Sequence, residues 1–117
     1  MDKLDKDILK WHKKTFPKAT FENQILKLEE ENLESKKAWD KKNMTQYISE
    51  LADIYIVSSV LWHRFESCIG LFYMNALWHW DQFHELEDAI KEKMKINKKR
   101  VWKFENGVYR HEVKNGN

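Results

Sequence analysis

From Thr20 to Arg100 the chain has one glycine, Gly70, and no proline. A stretch that long without turn-forming residues cannot be cut into the short strands of a sandwich or barrel. It also offers no pair of close glycines with which to cradle a phosphate. The apolar spacing points instead to helices. Leu4, Ile8 and Trp11 recur at i, i+4, i+7, which predicts a first helix over about 3–15, ended by Pro17. Thr20 is placed to cap a second helix, which continues through Phe21, Ile25, Leu28 and Leu33 to about Trp39, ahead of the polar break Asp40-Lys41-Lys42-Asn43. A third opens near Met44 or Thr45 and is apolar on more than one side, through Tyr47, Ile48, Leu51, Ile54, Tyr55, Val57, Val60 and Leu61. It is expected at the centre of a bundle.

Gly70 predicts a break between Glu66 and Gly70, because glycine inside a helix costs about 1 kcal/mol relative to alanine. A last long helix then covers about 71–99, with a kink near Asp81, along the stripe Phe72, Ala76, His79, Phe83, Leu86, Ile90, Lys93, Asn97 and Arg100. Beyond it, Trp102 to His111 reads as a hairpin, since Asn106-Gly107 supplies the two positive-φ positions of a tight turn. That turn pairs Phe104 with Tyr109 and Trp102 with His111. The expected architecture is all-α, a four- to five-helix bundle with a short C-terminal β-hairpin. It forms one domain over residues 1–117, with a helical core over about 3–100, a hairpin over about 101–112 and a mobile tail at 113–117.

The charge is nearly balanced, 21 Lys and Arg against 19 Asp and Glu for a net +2, which argues against a dedicated nucleic-acid-binding domain. Its distribution is uneven, acidic over Glu29–Glu34 and basic over Lys91–Lys103, as suits a site that holds a metal and an anion together. The single cysteine, Cys68, can form no internal disulfide and no zinc site, so a reducing, cytoplasmic location is expected. Residues 1–7 mix both charge signs without the apolar stretch of a signal peptide. The longest apolar run, Cys68–Trp80, is too short to span a bilayer, so no membrane partner is expected. The same run carries too many large apolar groups for a free surface, which predicts a homo-oligomer, a dimer or a tetramer.

The chemistry-bearing residues are two acidic segments. Glu31 and Glu34 on the second helix, and Glu50 and Asp53 on the third, are i, i+3 pairs, each placing two carboxylates about 5–6 Å apart on one face. Glu50 and Asp53 share the stripe of Ile54, Val57 and Leu61, while Glu31 and Glu34 lie beside Leu28 and Ala38. Acids on core-facing stripes of antiparallel helices repel one another unless a divalent cation lies between them, and all-oxygen ligands suit Mg²⁺ or Mn²⁺ rather than zinc. For Glu29 a plain solvated helix face with nearby lysines is the simpler account.

Glu30-Glu31-Asn32-Leu33-Glu34, fifteen intervening residues, then Glu50-Leu51-Ala52-Asp53 resembles the Glu-Glu-x-x-Glu and Glu-x-x-Asp signature of the MazG-like, all-α nucleoside triphosphate pyrophosphohydrolases. The flanks are similar too: Trp11-His12-Lys13-Lys14-Thr15-Phe16-Pro17 with Lys27-Leu28 before the signature, and Lys93-x-x-x-Asn97-x-x-Arg100-x-Trp102 after it. The resemblance implies an oligomeric helical bundle that uses Mg²⁺, with Mn²⁺ as the alternative ion. Such a bundle hydrolyses a nucleoside triphosphate between its α and β phosphates to a monophosphate and pyrophosphate. By position it makes Glu31, Glu34, Glu50 and Asp53 the metal ligands, and Glu30 and Glu31 the catalytic candidates. Glu30 would orient or deprotonate the attacking water or hold a basic neighbour. Lys93, Asn97 and Arg100, one helical stripe, would clamp phosphate oxygens. The aromatic stretch Trp62–Trp80 has no counterpart in the signature.

Other residues have plainer explanations. Lys91, Lys95, Lys98 and Lys99 suit the negative end of a helix dipole. Trp39, Trp78 and Trp80 read as packing or interface residues, whereas Trp11, Phe16 and Trp62 are candidates for a base pocket. His12 and His63, each beside a tryptophan, read as structural. A di-iron carboxylate bundle needs Glu-x-x-His pairs, which the chain lacks. The alternative function is a non-enzymatic helical protein-interaction module, with the hairpin and the tryptophan stretch as its surface. Nucleic-acid binding through Lys91–Lys103 comes third.

Overall fold

The computed structural model describes residues 2–81 and 85–112; the expected tail at 113–117, and Phe83 of the expected stripe, lie outside them. Among the described residues there are five helices, α1 (Lys3–Thr15), α2 (Phe21–Asp40), α3 (Met44–His63), α4 (Cys68–Trp80) and α5 (Leu86–Lys99), then a hairpin of β1 (Trp102–Glu105) and β2 (Val108–His111). The all-α class with a C-terminal hairpin is as the sequence predicts.

The first three helices start on side-chain caps. Asp2 accepts from the Asp5 amide at 2.8 Å, Thr20 from Asn23 at 3.2 Å and Asn43 from Gln46 at 3.1 Å, each satisfying an amide that the helix itself leaves free. α3 is buried without interruption from Ile54 to Leu61 and packs against each of the other four helices, which makes it the expected central element. α2 and α3 run antiparallel. Trp39 stacks on Tyr47 at 5.1 Å beside their connection, and Glu31 meets Glu50 and Asp53 further along.

Two boundaries differ from expectation. The break falls at 64–67, and Gly70 lies inside α4. A Cβ at Gly70 would sit 2.3 Å from the Ser58 carbonyl oxygen and 2.6 Å from the Trp62 nitrogen, so α4 crosses α3 backbone to backbone there. The close approach outweighs the local cost of glycine in a helix. The expected long helix over 71–99 is two helices. α4 ends at Trp80, and the Asp81 carboxylate accepts from the amides of Glu85 and Leu86 at 3.1 and 3.3 Å, opening α5.

The hairpin has the expected register, Trp102 opposite His111 and Phe104 opposite Tyr109, with positive φ at Asn106 (52°) and Gly107 (78°). It docks on the α1–α2 corner. Phe16 receives Trp102 at 4.9 Å and Tyr109 at 4.8 Å, the Lys18 amide donates to the Tyr109 hydroxyl at 3.1 Å, and the Asn23 side-chain amide donates to the Gly107 carbonyl.

Candidate metal and phosphate site

One carboxylate oxygen each from Glu31, Glu50 and Asp53 lie within 4.8 Å of one another. The i, i+3 spacing puts Glu50 and Asp53 on the side of α3 that faces α2, and the antiparallel partner brings Glu31 to the same level. Glu50 is buried and accepts from the Gln46 amide, one turn earlier, at 2.9 Å. Asp53 is paired with Lys93 of α5 at 3.0 Å, and Lys27 stands 3.9 Å from Glu31. Three carboxylates thus face two ammonium groups. Burial, and then the charge of Asp53, push the Glu31 carboxyl up to about 8, with Lys27 pulling the other way. Asp53 is also raised, chiefly by burial, against the opposing charge and hydrogen bond of Lys93.

These acids open on a cavity of about 310 Å³. Lys93, Asn97 and Arg100 line it with Ile56, Val57 and Val60 of α3, and the mutually packed rings of Trp11, Phe16, Trp102 and Tyr109 form its aromatic end. Asn97 is buried. Its side-chain oxygen accepts from Arg100 Nη1 at 3.3 Å, and its carbonyl accepts from the Trp102 indole at 3.1 Å. Arg100 lies one residue beyond α5, with extended backbone (φ −72°, ψ 148°). The expected single helical stripe therefore ends at Asn97, and Arg100 reaches the cavity from the turn into β1.

The remaining sequence candidates are placed less centrally. Glu34 borders the cavity, but its side chain is 53% exposed and lies 3.6 Å from Lys37. Glu31 and Glu34 are about 60° apart around α2, so the groove against α3 takes one and leaves the other at the mouth. Glu30 is exposed and is not among the residues lining the cavity. Trp11 and Phe16 line it, whereas Trp62 is packed against the core elsewhere. Phe16 is no open stacking face, being buried at the hub of Trp11, His12, Trp102 and Tyr109.

Sequence reasoning missed Gln46, whose i, i+4 spacing from Glu50 was available as a signal, and the role of Lys27 opposite Glu31. It also missed Tyr109 and His111 as cavity walls, because only the docking of the hairpin brings them there.

The cluster fits a hard divalent cation. Its donors are all oxygen, and their span is close to the roughly 4.2 Å that separates opposite oxygens around Mg²⁺ at about 2.1 Å. A cation would also offset the burial and the repulsion from Asp53 that together lift the Glu31 carboxyl. Set against protein-family models, curated proteins and solved structures, the chain matches none.

Proposed function

We propose that the chain is a Mg²⁺-dependent nucleoside triphosphate pyrophosphohydrolase of the MazG-like kind, cleaving an NTP or dNTP to a nucleoside monophosphate and pyrophosphate. The observation that carries this reading is the cavity itself, lined by the carboxylates of Glu31, Glu50 and Asp53, by Lys93, Asn97 and Arg100, and by a cluster of aromatic rings. An anion with several phosphates needs cations on one side, and acids on the other make sense when a metal neutralises them. Glu31, Glu50 and Asp53 would hold Mg²⁺ or Mn²⁺, and Glu34 joins them on turning inward from the mouth. Bound there, the ion supplies charge neutralisation at the phosphate oxygens and a water of lowered pKa.

The chain's own residues do the rest. Lys93 and Arg100 hold phosphate oxygens in line for attack, the Asn97 amide adds a neutral donor, and a carboxylate of the α2 acidic segment accepts the proton of the attacking water. Glu31, which lines the cavity, would take that task once a bound cation has lowered its raised carboxyl, whereas Glu30 would have to act from outside the cavity. The exposed Ile69 and Phe72 of α4 support a homo-oligomer, and the lone Cys68 a reducing, cytoplasmic setting. Among the described residues no helix is long and apolar enough to cross a membrane.

The test is pyrophosphate release from a panel of canonical and modified nucleoside triphosphates with Mg²⁺, with Mn²⁺ and with EDTA. Pyrophosphate and monophosphate in equal amounts, lost on chelation, are expected. Silence across the panel from folded protein would turn the assignment to the helical interaction module, which the exposed Trp39, Phe72 and Trp80 favour.

A further inference from the structure

At the aromatic end of the cavity, His12 is held from behind. It sits in the last turn of α1, is 4% exposed and lines the cavity. Its Nδ1 lies 2.8 Å from Nη1 of Arg64, the residue that follows α3. The same Nη1 donates to the Phe16 carbonyl at 2.9 Å and the His12 carbonyl at 3.4 Å, and Nη2 donates to that of Pro17 at 3.3 Å. Arg64 is thus fixed by carbonyls of the last turn of α1 and of the Phe16-Pro17 turn after it, independently of the ring it touches. A guanidinium only donates, so Nδ1 presents its lone pair and the ring proton resides on Nε2.

We infer that Arg64 is a positioning residue that fixes His12 as the Nε2–H tautomer, and so sets it as a hydrogen-bond donor to an acceptor atom of a nucleobase at the aromatic end of the cavity. The inference rests on the reading of this cavity as a nucleotide site, which it deepens. Burial first, and the Arg64 charge second, lower His12 to about 3. The Gln24 side chain opposes them by accepting from the ring, and with Nδ1 held by Arg64 that bond falls to Nε2, so a base acceptor has to share the Nε2 proton with Gln24 or take it over. The groups acting on the ring are therefore cationic Arg64 from the end of α3 and neutral Gln24 from α2, while the Tyr109 phenol of β2 acts on Arg64.

A donor that stays uncharged at physiological pH reads a carbonyl oxygen or a bare ring nitrogen, and it does not pull the triphosphate to the wrong end of the cavity. A base that turns an amino group towards Nε2 leaves two donors facing each other and is rejected. The partly exposed rings of Trp11, Trp102 and Tyr109 supply stacking surface, which tolerates any base, so the selection falls to His12 and the adjacent Gln24 amide.

Long-range ¹H–¹⁵N NMR of the full chain reads both ring nitrogens without any substrate. The expected result is a bare Nδ1 and a protonated Nε2 from pH 8 to pH 5, and in Arg64→Gln a ring that titrates closer to the ordinary histidine value of about 6.5. A protonated Nδ1, or a wild-type His12 that titrates near 6.5, would overturn the inference. Thymidine, deoxycytidine, deoxyadenosine and deoxyguanosine, added as free nucleosides, then probe the base end without phosphate or metal. At least one should move the His12 Nε2 signal, and a ring that ignores all four sinks the inference.

In turnover, His12→Asn keeps an acceptor for Arg64 but removes the Nε2 donor, and should raise KM about tenfold with a smaller change in kcat. His12→Gln, which keeps a donor near Nε2 and loses the contact with Arg64, should fall between Asn and wild type; KM unchanged in His12→Asn would count against the inference. The two readings fail separately. A nucleoside response without pyrophosphate release removes the reaction and leaves the base contact, whereas release with an unresponsive His12 removes the base contact alone.

Discussion

α3 carries buried carboxylates against two of its sides, and the protein treats them in opposite ways. Asp5 reaches α3 from α1 and accepts from the Tyr55 hydroxyl and the Ser59 hydroxyl, each at 2.9 Å; the Trp78 indole in turn donates to Tyr55 at 3.1 Å. Asp53 lies about 200° around the helix from Tyr55, and there Glu31, Glu50 and Asp53 crowd one another beside a cavity. Asp5 takes both hydroxyl donors on Oδ1, has His63 Nε2 3.9 Å from Oδ2 and does not line the cavity, so it ties three helices together. The cavity acids have more oxygen than donors and room in front of them. A carboxylate held by aimed donors is structure, whereas a group of them short of donors around a cavity is what the proposed cation site rests on.

The largest expected effect would separate these two regions outright. Glu50→Gln and Asp53→Asn should each cut pyrophosphate release more than about a hundredfold, since changing even the partners of a metal ligand costs 10–100-fold. Helical circular dichroism should be unchanged. Wild-type turnover in either variant would break the contrast.

Asp5→Ala should do the reverse. It strands the Tyr55 and Ser59 donors and should cost about 3 kcal/mol of stability in urea unfolding, with little change in the Mg²⁺ dependence of turnover.

A smaller effect is one of pH. Burial holds the Asp5 carboxyl above its ordinary value of 3.8, against the hydrogen bonds from Ser59 and Tyr55 that lower it. The folded protein therefore binds this proton more tightly than the unfolded chain. The associated stability is fully present below 3.8 and is lost as pH rises through the folded value. Asp5→Asn keeps an acceptor for both hydroxyls and removes the titration, so the stability difference between variant and wild type should shift in favour of the variant as pH rises from 3 to 7. A difference that stays flat over that range would show that Asp5 is not held in this way.

The smallest effects belong to the edge of the cavity. Glu34→Gln should lower turnover less than Glu31→Gln, and Glu30→Gln less still, because Glu34 stands at the mouth and Glu30 outside it. Equal losses in all three would extend the acidic site along the whole α2 segment.

Where the controlling forces are local, the sequence is enough. The Thr20 cap of α2, the stop after Thr15 and the hairpin register depend on residues a few positions apart, and all are present as expected. Gly70 and the 71–99 segment depart from the sequence expectation because their outcome depends on partners distant in sequence or on a cap whose use spacing does not reveal. Gly70 is set by the Ser58 carbonyl across α3, and the start of α5 by the Asp81 side chain. Glu34 shares its spacing with Asp53, yet the groove between α2 and α3 takes only Glu31 from its helix.

The sequence by itself determined that the chain is helical, that its third helix is central, and that acids and cations would have to meet. Helical period and apolar patterning depend only on neighbours along the chain. The tertiary structure alone decided which acids meet, that Asp5 is satisfied while Glu31 is not, and that Trp102 and Tyr109 close a cavity begun by α1 and α2. Those outcomes depend on burial and on donors supplied from elsewhere in the chain, and one helix cannot specify either.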